Sequence, residues 1–199
     1  TLAARAAHLI AGGENPSQIA AVTFTNKAAA EMKGRIAQRL APLGRPGDAE
    51  KMTIGTFHSI CYKLLSGRLG PVSVIDPYEA EVVAGQTVRE LKLNLSPRRL
   101  LAGISALKNG VVLPEDKPLA PEAAERYQQL LEQYGVMDYD DLMLQTLACL
   151  QEGSIDDLSP FTHLLVDEFQ DINALQYQLV QALGQQGRSL FLIGDPNQS

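Results

Sequence analysis

The stretch His163-Leu164-Leu165-Val166-Asp167-Glu168-Phe169-Gln170-Asp171 decides the fold, because its apolar run stops abruptly at two carboxylates. A short apolar run bounded by polar residues is typical of a strand buried on both faces, as in a parallel sheet. Open α/β sheets bind their ligands at the carboxyl ends of their strands. The stretch therefore predicts an α/β fold in which Asp167 and Glu168 lie at a ligand-binding edge.

The two carboxylates need not share one task, since adjacent side chains on a strand point to opposite faces. One of them can hold a divalent metal while the other handles a water molecule. That division suits phosphoryl transfer, which depends mainly on positioning and charge neutralisation. An isolated Asp-Glu pair is more often a capping acid in a solvated turn, so the residues alone leave both interpretations open.

The bulk properties set the class of protein. A chain of 199 residues can form one large or two small domains, and no apolar run approaches the ~20 residues of a membrane helix. The start at Thr1 lacks an initiator Met and a signal-peptide pattern, so we expect a piece of a longer protein. Cys61 and Cys149 have no metal-type spacing and suit a reducing cytoplasm. The net charge of −6 argues only weakly against nucleic-acid binding.

Hydrophobic periodicity and helix-capping signals predict the order of elements. Strands are predicted at 19–24, 52–55, 163–166 and 189–193. Helices are predicted at 1–11, 27–40 (with Asn26 as its cap), 56–65, 78–91, 96–108, 121–134, 139–152 and 173–183. Strand–helix units at 1–75 and 158–199 thus flank an all-helical insertion at 76–157, which is large enough to be a subdomain.

A second motif is Val22-Thr23-Phe24-Thr25-Asn26-Lys27-Ala28-Ala29-Ala30-Glu31-Met32. A core strand, an Asn cap and an amphipathic helix explain most of it. They do not explain an aromatic ring beside hydroxyl, amide and ammonium groups at the end of the strand. Such a group can stack a base and hold a phosphate, and stacking contributes ~1–3 kcal/mol per base. The motif therefore predicts a nucleic-acid contact at Phe24.

Three further motifs have plainer alternatives. Gly55-Thr56-Phe57-His58-Ser59 lies at a strand-to-helix junction, where backbone N–H groups attract phosphate, although a lone His is more often structural. We do not expect catalysis by His58, since no nucleophile pairs with it. Gly194-Asp195-Pro196-Asn197-Gln198 reads by itself as a turn. Asp138-Tyr139-Asp140-Asp141-Leu142 is interpreted as structural, because an acidic helix start complements the helix dipole.

Taken together and in this order, the motifs at 22–32, 55–59, 163–171 and 194–198 resemble motifs Ia, Ib, II and III of superfamily 1 helicases of the UvrD/Rep/PcrA type. The resemblance covers essentially the whole chain. It implies a RecA-like parallel sheet of the P-loop NTPase type with an all-helical insertion subdomain. Pro196-Asn197 departs mildly from the acidic residues that many relatives carry there.

The resemblance also implies roles for individual residues. Asp167 would hold Mg²⁺ through water, Glu168 would orient or deprotonate the attacking water, and Gln198 would sense the γ-phosphate of ATP. These three are the expected catalytic residues, and Gln170 joins them in the expected nucleotide-binding set. The expected DNA-binding residues are Phe24, Thr25, Asn26, Lys27, Thr56, Phe57, His58 and Ser59.

The function so implied is that of a cytoplasmic, ATP-dependent DNA helicase of DNA repair or replication. It would use ATP and Mg²⁺ to move 3′ to 5′ along single-stranded DNA and to unwind single-strand/duplex junctions, with repair or replication proteins as partners and no membrane association. A motor within a helicase–nuclease and a non-catalytic DNA-binding or docking module are the alternatives. No Gly-x-x-x-x-Gly-Lys-Ser/Thr loop occurs in the sequence, so we expect the chain alone to be inactive.

Overall fold

The computed structural model describes residues 2–111, 119–152, 161–185 and 189–195. Within these ranges the strands are β1 Ile19–Thr23, β2 Thr53–Thr56, β3 His163–Val166 and β4 Ser189–Leu192. The helices are α1 Leu2–Ala11, α2 Asn26–Leu40, α3 Phe57–Leu69, α4 Pro77–Glu90, α5 Pro97–Lys108, α6 Pro121–Tyr134, α7 Tyr139–Gln151 and α8 Ala174–Gly184. None of the described helices is long and apolar enough to cross a membrane.

The four strands form one parallel sheet in the order β2-β1-β3-β4. Ala21 of β1 lies opposite Ile54 on one side and Leu165 on the other, and Leu165 lies opposite Phe191. Every residue of β1 and β3 is buried, as expected for central strands covered on both faces. The predicted α/β fold with a parallel sheet is confirmed.

Apolar clusters cover both faces of the sheet. On one face, Ile19, Ala21 and Leu165 pack with α1 and α2. On the other face, Val22 and Val166 pack with α3, α7 and α8. The alternation of inward positions along β1 and β3 follows from the two-residue period of a strand. The sheet is therefore the middle layer of a three-layer structure, and its carboxyl edge remains open to ligands.

Helices α4, α5 and α6 form an apolar cluster of their own, centred on Leu100, Tyr127 and Leu131. The segments that lead into and out of this cluster lie side by side, since Ile75 N donates a hydrogen bond to Met137 O over 2.9 Å. Helix α7 packs instead against α3 and α8 in the cluster on the sheet. The division at 1–75, 76–157 and 158–199 stays a prediction.

Capping side chains explain why the helix starts were predictable. Asp76, Ser96 and Asp138 each accept a hydrogen bond from a backbone N–H in the first turn of α4, α5 and α7. The predicted cap of α2 is wrong, because Thr25 rather than Asn26 accepts from Ala28 N over 3.0 Å. The side chain of Asn26 is therefore not needed to begin the helix.

Two other segments differ from the sequence prediction. Helix α3 continues to Leu69, four residues beyond the predicted end at Leu65, and ends at Gly70, whose positive φ of 83° and N–H bond to Ser66 O close the helix. The segment between α2 and β2, where the sequence predicts neither a helix nor a strand, contains a 3₁₀ helix at Pro46–Glu50. Its buried Asp48 carboxylate binds Arg45 and Lys51, which holds the turn against the core.

Candidate functional site

The backbone at the end of β3 joins the two central strands at the point where the carboxylates begin. Asp167 N donates to Val22 O of β1 over 3.0 Å. The next residue, Glu168, has φ 50 and ψ 43, which is the left-handed region. A non-glycine residue in this region carries strain of ~1–3 kcal/mol that the surrounding structure must hold in place. The strained turn directs the two carboxylates away from the buried strand.

Gln170 ties this turn to the segment after β4. Its Nε2 donates to Glu168 Oε2 over 2.7 Å and to Asp171 Oδ2 over 3.0 Å. Its Oε1 accepts from Asp195 N over 3.0 Å. A Cβ atom on Gly194 would lie 2.7 Å from Gln170 Oε1 and 3.2 Å from Gln170 N. A Cβ atom at this position would therefore displace the Gln170 side chain and push the two segments slightly apart.

A cavity of 560 Å³ opens beside Asp167, between the start of α1 and one face of α2. Arg35 and Arg39 of α2 line it together with Asp167. Burial raises the pKa of the Asp167 carboxyl, and the charge of Glu168 adds to this rise, while Arg35 acts against it. The cavity thus combines two cationic side chains with the carboxylates of Asp167 and Glu31, and Glu31 Oε2 lies 3.5 Å from Arg35 Nη2.

The donor atoms at the turn suit a hard divalent cation. Mg²⁺ is bound in proteins by one or two carboxylates, with water and phosphate oxygens completing its coordination. Asp167 and Glu168 supply such oxygens at the open end of β3. No group of three or more His, Cys, Asp or Glu side chains with metal-binding geometry occurs in the described ranges. The site therefore fits a cation shared with phosphate better than one held by protein alone.

A groove of 630 Å³ lies beside the ends of β1 and β2, at the same edge of the sheet. Two threonines build its floor by capping the adjacent helices. Thr25 Oγ1 accepts from Ala28 N at α2, and Thr56 Oγ1 accepts from Ser59 N at α3 over 3.3 Å. Ser59 Oγ in turn donates to Thr56 O over 2.9 Å. These hydrogen bonds fix where both helices begin and hence the shape of the groove.

Four side chains with aromatic rings line the groove: Phe24, His58, Tyr62 and Tyr139. Phe24 is 38% exposed and rests edge-on against Phe57, with ring centroids 6.4 Å apart. Phe57 is only 4% exposed, so its side chain supports Phe24 from beneath the groove. The ring of His58 lies 4.7 Å from that of Tyr139, at an angle of 39°. Two aromatic surfaces, Phe24 and the His58–Tyr139 pair, therefore face the same space.

The charges around the groove are uneven. The acidic side chains of Asp76 and Glu79, at the start of α4, line it together with the neutral polar side chains of Thr25 and Asn26. Burial lowers the pKa of His58, and the nearby charge of Asp140 acts against this. His58 is thus predominantly neutral near pH 7.

The structure brings most of the predicted site residues to this one edge of the sheet. Two residues of the predicted DNA-binding set do not line the groove: Lys27 is exposed at the start of α2, and Phe57 is buried beneath Phe24. Gln198, predicted to contact nucleotide, lies outside the described residues.

The site residues predicted from the sequence do not include Tyr62 and Tyr139 of the groove or Arg35 of the cavity. For Tyr139, the signal was an aromatic residue flanked by three acids, which had been interpreted as structural. For Arg35, the signal was its position on α2, seven residues after Ala28 and therefore on the same helical face. Tyr139 and Arg35 both reach the sheet edge from helices, so the residues that follow the strands do not include them.

A parallel α/β sheet with a carboxylate turn and an aromatic groove at one edge is the arrangement of a RecA-like helicase motor domain. A profile of the UvrD/REP helicase N-terminal domain matches residues 1–199, and the chain belongs to this family.

The relatives of the chain include named DNA helicases. The ATP-dependent DNA helicase PcrA of Staphylococcus epidermidis is 31% identical over 93% of the chain and 28% of that protein. PcrA of Staphylococcus aureus shows the same identity and coverage. The ATP-dependent DNA helicase SRS2 of Saccharomyces cerevisiae is 32% identical over the whole chain and 20% of that protein. The chain therefore spans less than a third of the length of these relatives.

Proposed function

We propose that the chain forms part of an ATP-dependent DNA helicase, in which hydrolysis of ATP at the carboxylate turn is coupled to a grip on single-stranded DNA in the groove. The observation that carries this proposal is the hydrogen bond from Asp167 N to Val22 O. It places the first carboxylate two residues from Phe24 across adjacent strands. A shift of the turn during hydrolysis therefore reaches the groove through covalent backbone and one hydrogen bond.

At the nucleotide side, the phosphates of ATP would enter the cavity between α1 and α2. Arg35 would contribute positive charge there, and the carboxylate of Asp167 would hold Mg²⁺ through water. Mg²⁺, when bound, supplies charge neutralisation to the phosphate oxygens. Glu168 accepts a proton from, or orients, the attacking water, while Gln170 holds its carboxylate through the 2.7 Å hydrogen bond. Gln198 remains the proposed sensor of the γ-phosphate.

At the DNA side, bases stack on Phe24 and on the His58–Tyr139 pair. The hydroxyl and amide groups of Thr25 and Asn26 face the sugar–phosphate backbone, with Lys27 adding charge at the rim. Asp76 and Glu79 line the same groove and repel phosphate, which favours a path of the DNA strand along Thr25 and Asn26. We propose translocation in the 3′ to 5′ direction, as the family resemblance implies, and this is tested with strands labelled at either end.

The function is tested first by Glu168→Gln in the complete natural protein that contains this chain. We expect ATP turnover to fall at least ~100-fold, because a general base contributes about 10²–10⁴-fold. Equilibrium binding of ATP and of single-stranded DNA should stay within twofold. Glu152→Gln is the matched control, since Glu152 follows α7 and lines neither the cavity nor the groove. Unchanged turnover in Glu168→Gln would contradict the assigned role.

The DNA side is tested by Phe24→Ala. We expect the affinity for an oligothymidine to fall about 5- to 100-fold, which corresponds to one lost base stack. The slope of log affinity against log salt should stay the same, since a phenyl ring releases no counterions. If Phe24→Ala and the unaltered protein bind the oligothymidine with equal affinity at every salt concentration, the proposal that DNA binds in the groove is wrong. The 199-residue chain alone is expected to show no DNA-stimulated turnover, because it contains no phosphate-binding P-loop.

A further inference from the structure

A buried ion cluster joins the end of α5 to the start of α7. Lys108 Nζ lies 2.8 Å from Asp138 Oδ2 and 2.7 Å from Asp141 Oδ1. The side chains of all three residues are at most 13% exposed. The next residue of the chain contributes as well, because Asn109 Nδ2 donates to Asp140 Oδ1 over 2.8 Å. Three polar contacts thus connect the end of α5 to the start of α7, two helices that are distant in sequence.

The contacts of this cluster lie on either side of Tyr139 in the sequence, and Tyr139 lines the groove. Asp138 caps α7 by accepting from Asp141 N over 2.8 Å, and Tyr139 is the first residue of that helix. Tyr139 is therefore flanked on both sides by carboxylates that bind α5. Its ring leaves the cluster on the other side and meets His58 in the groove. No residue of α5 lines the groove in the part of the chain that the structure describes.

The energetics favour a role in positioning over one in stability. Burying three charged side chains costs desolvation that their attraction repays only partly, so an apolar cluster of the same volume would often be as stable. Lys108 also lies over the ring of Tyr127, 5.6 Å from its centroid, which ties the ammonium to the buried side of α6. Without the ammonium, the carboxylates of Asp138 and Asp141 repel each other within one helical turn.

We propose that Lys108 is a positioning residue for single-stranded DNA binding: it holds the first turn of α7 so that Tyr139 stays stacked against His58 in the groove. Lys108 itself does not touch DNA. This inference rests on the proposed DNA-binding function of the groove. It makes the grip on the strand depend on α5 and α6, two helices that lie behind the groove wall.

The test is a double-mutant cycle on DNA affinity in the complete natural protein, measured by fluorescence anisotropy with a labelled oligothymidine. We expect Lys108→Met to weaken binding about 5-fold and Tyr139→Ala about 10-fold, near the lower end for one base stack. The double variant should bind no more weakly than Tyr139→Ala alone, because both changes remove the same stack. Lys108→Met and Phe24→Ala should instead combine additively, since they affect separate surfaces.

Salt dependence separates positioning from direct contact. The slope of log affinity against log salt should be the same in Lys108→Met and in the unaltered protein, whereas loss of a phosphate contact would lower it by about one. Lys51→Met is the matched control, because Lys51 Nζ binds the buried Asp48 over 2.7 Å and lies away from the groove. Asp48 keeps Arg45 as a partner in that variant. We expect Lys51→Met to bind DNA normally.

Folding is monitored by thermal unfolding of each variant. If Lys108→Met does not fold, Lys108→Met/Asp141→Asn takes its place in the same cycle, since it removes the excess buried charge. Additive losses with Tyr139→Ala, or a reduced salt slope, would overturn the inference. If Phe24→Ala and Tyr139→Ala both leave DNA affinity unchanged, the proposed function of the groove fails. If they weaken binding and the Lys108 variants do not, only the role of Lys108 fails.

Discussion

The carboxylate turn and the aromatic groove begin at the same edge of one sheet, but they hold their side chains by different means. In the turn, Glu168 has a strained backbone and is held by the side chain of Gln170, which also reaches the segment after β4. In the groove, Phe24 and His58 stand at the starts of two helices whose caps are local hydrogen bonds. The turn depends on a contact between distant segments. The caps that place Phe24 and His58 are contacts within a few residues, and only the Tyr139 side of the groove comes from a distant segment.

This difference predicts how each site responds to change. A site held by contacts between distant segments can move as a unit when one segment moves, as a coupling element requires. A site held by local caps keeps its shape while its surroundings shift. We therefore expect substitutions around the turn to alter turnover more than binding, and substitutions around the groove to alter stability and binding more than basal turnover.

Gly194→Ala should give the largest effect. The new Cβ would lie 3.2 Å from the backbone nitrogen of Gln170, which cannot rotate away, so the link to Glu168 must shift. Misplacement of a catalytic group by ~1 Å can cost about 100-fold, and the shift required here is a few tenths of an ångström, so we expect turnover to fall several-fold and by less than ~100-fold. Steady-state ATPase assays measure the effect on the carboxylate turn, and DNA-binding assays measure the effect on the groove.

Gly34→Ala is the control for that experiment. Gly34 lies within α2, and a Cβ added to it meets no atom within 4 Å. It should raise stability by about 0.5–1 kcal/mol through helix propensity and leave turnover unchanged. Normal turnover in Gly194→Ala would show that the turn does not depend on the segment after β4.

Gly55→Ala should give an intermediate effect on the groove. Its Cβ would lie 2.2 Å from Ser59 Oγ, so the hydroxyl that donates to Thr56 O must leave its position. We expect the free energy of unfolding to fall by about 1–2 kcal/mol, as for overpacked sites. Urea unfolding checks this, and Gly55→Ala/Ser59→Ala should recover most of the loss.

Gly67→Ala serves as the comparison for Gly55→Ala, since Gly67 lies in α3 with open space around it. It should be neutral or stabilising. If Gly55→Ala unfolds at the same urea concentration as the unaltered protein, the cap at Thr56 contributes less to the groove than its geometry indicates.

The pH dependence of His58 should give the smallest effect. Burial lowers the pKa of His58 below its ordinary value of 6.5. The unfolded chain then binds more protons than the folded chain below that value, so the stability from the neutral ring is present above it and is lost as the pH falls. We expect the loss of unfolding free energy between pH 7.5 and about pH 5.5 to be smaller in His58→Gln.

The same urea experiment on His8→Gln provides the control, because His8 is exposed on α1. That variant should keep the pH dependence of the unaltered protein. An identical pH dependence in His58→Gln would mean that burial of this imidazole does not contribute to the stability of the groove.

The elements of the fold were predictable wherever the signals are local. The start of α4 follows from Asp76 and Pro77, and the limits of β3 follow from an apolar run that ends at Asp167. The end of α3 was not predictable in the same way, because its last turn is largely exposed and carries no apolar periodicity, and the helix stops only at Gly70. The cap of α2 depended on backbone angles, with Thr25 rather than Asn26 in the extended conformation.

The sequence by itself determined the chemistry available at the sheet edge: two carboxylates after one strand, and an aromatic with polar neighbours after another. Residue types and local spacing suffice for that, since strands and caps are short-range features. Only the tertiary structure decided which distant residues complete the sites. Gln170 meets Asp195, Tyr139 meets His58, and Lys108 meets Asp138 across 25, 81 and 30 positions of chain. Such contacts depend on how the layers pack, and no periodicity within one segment encodes them.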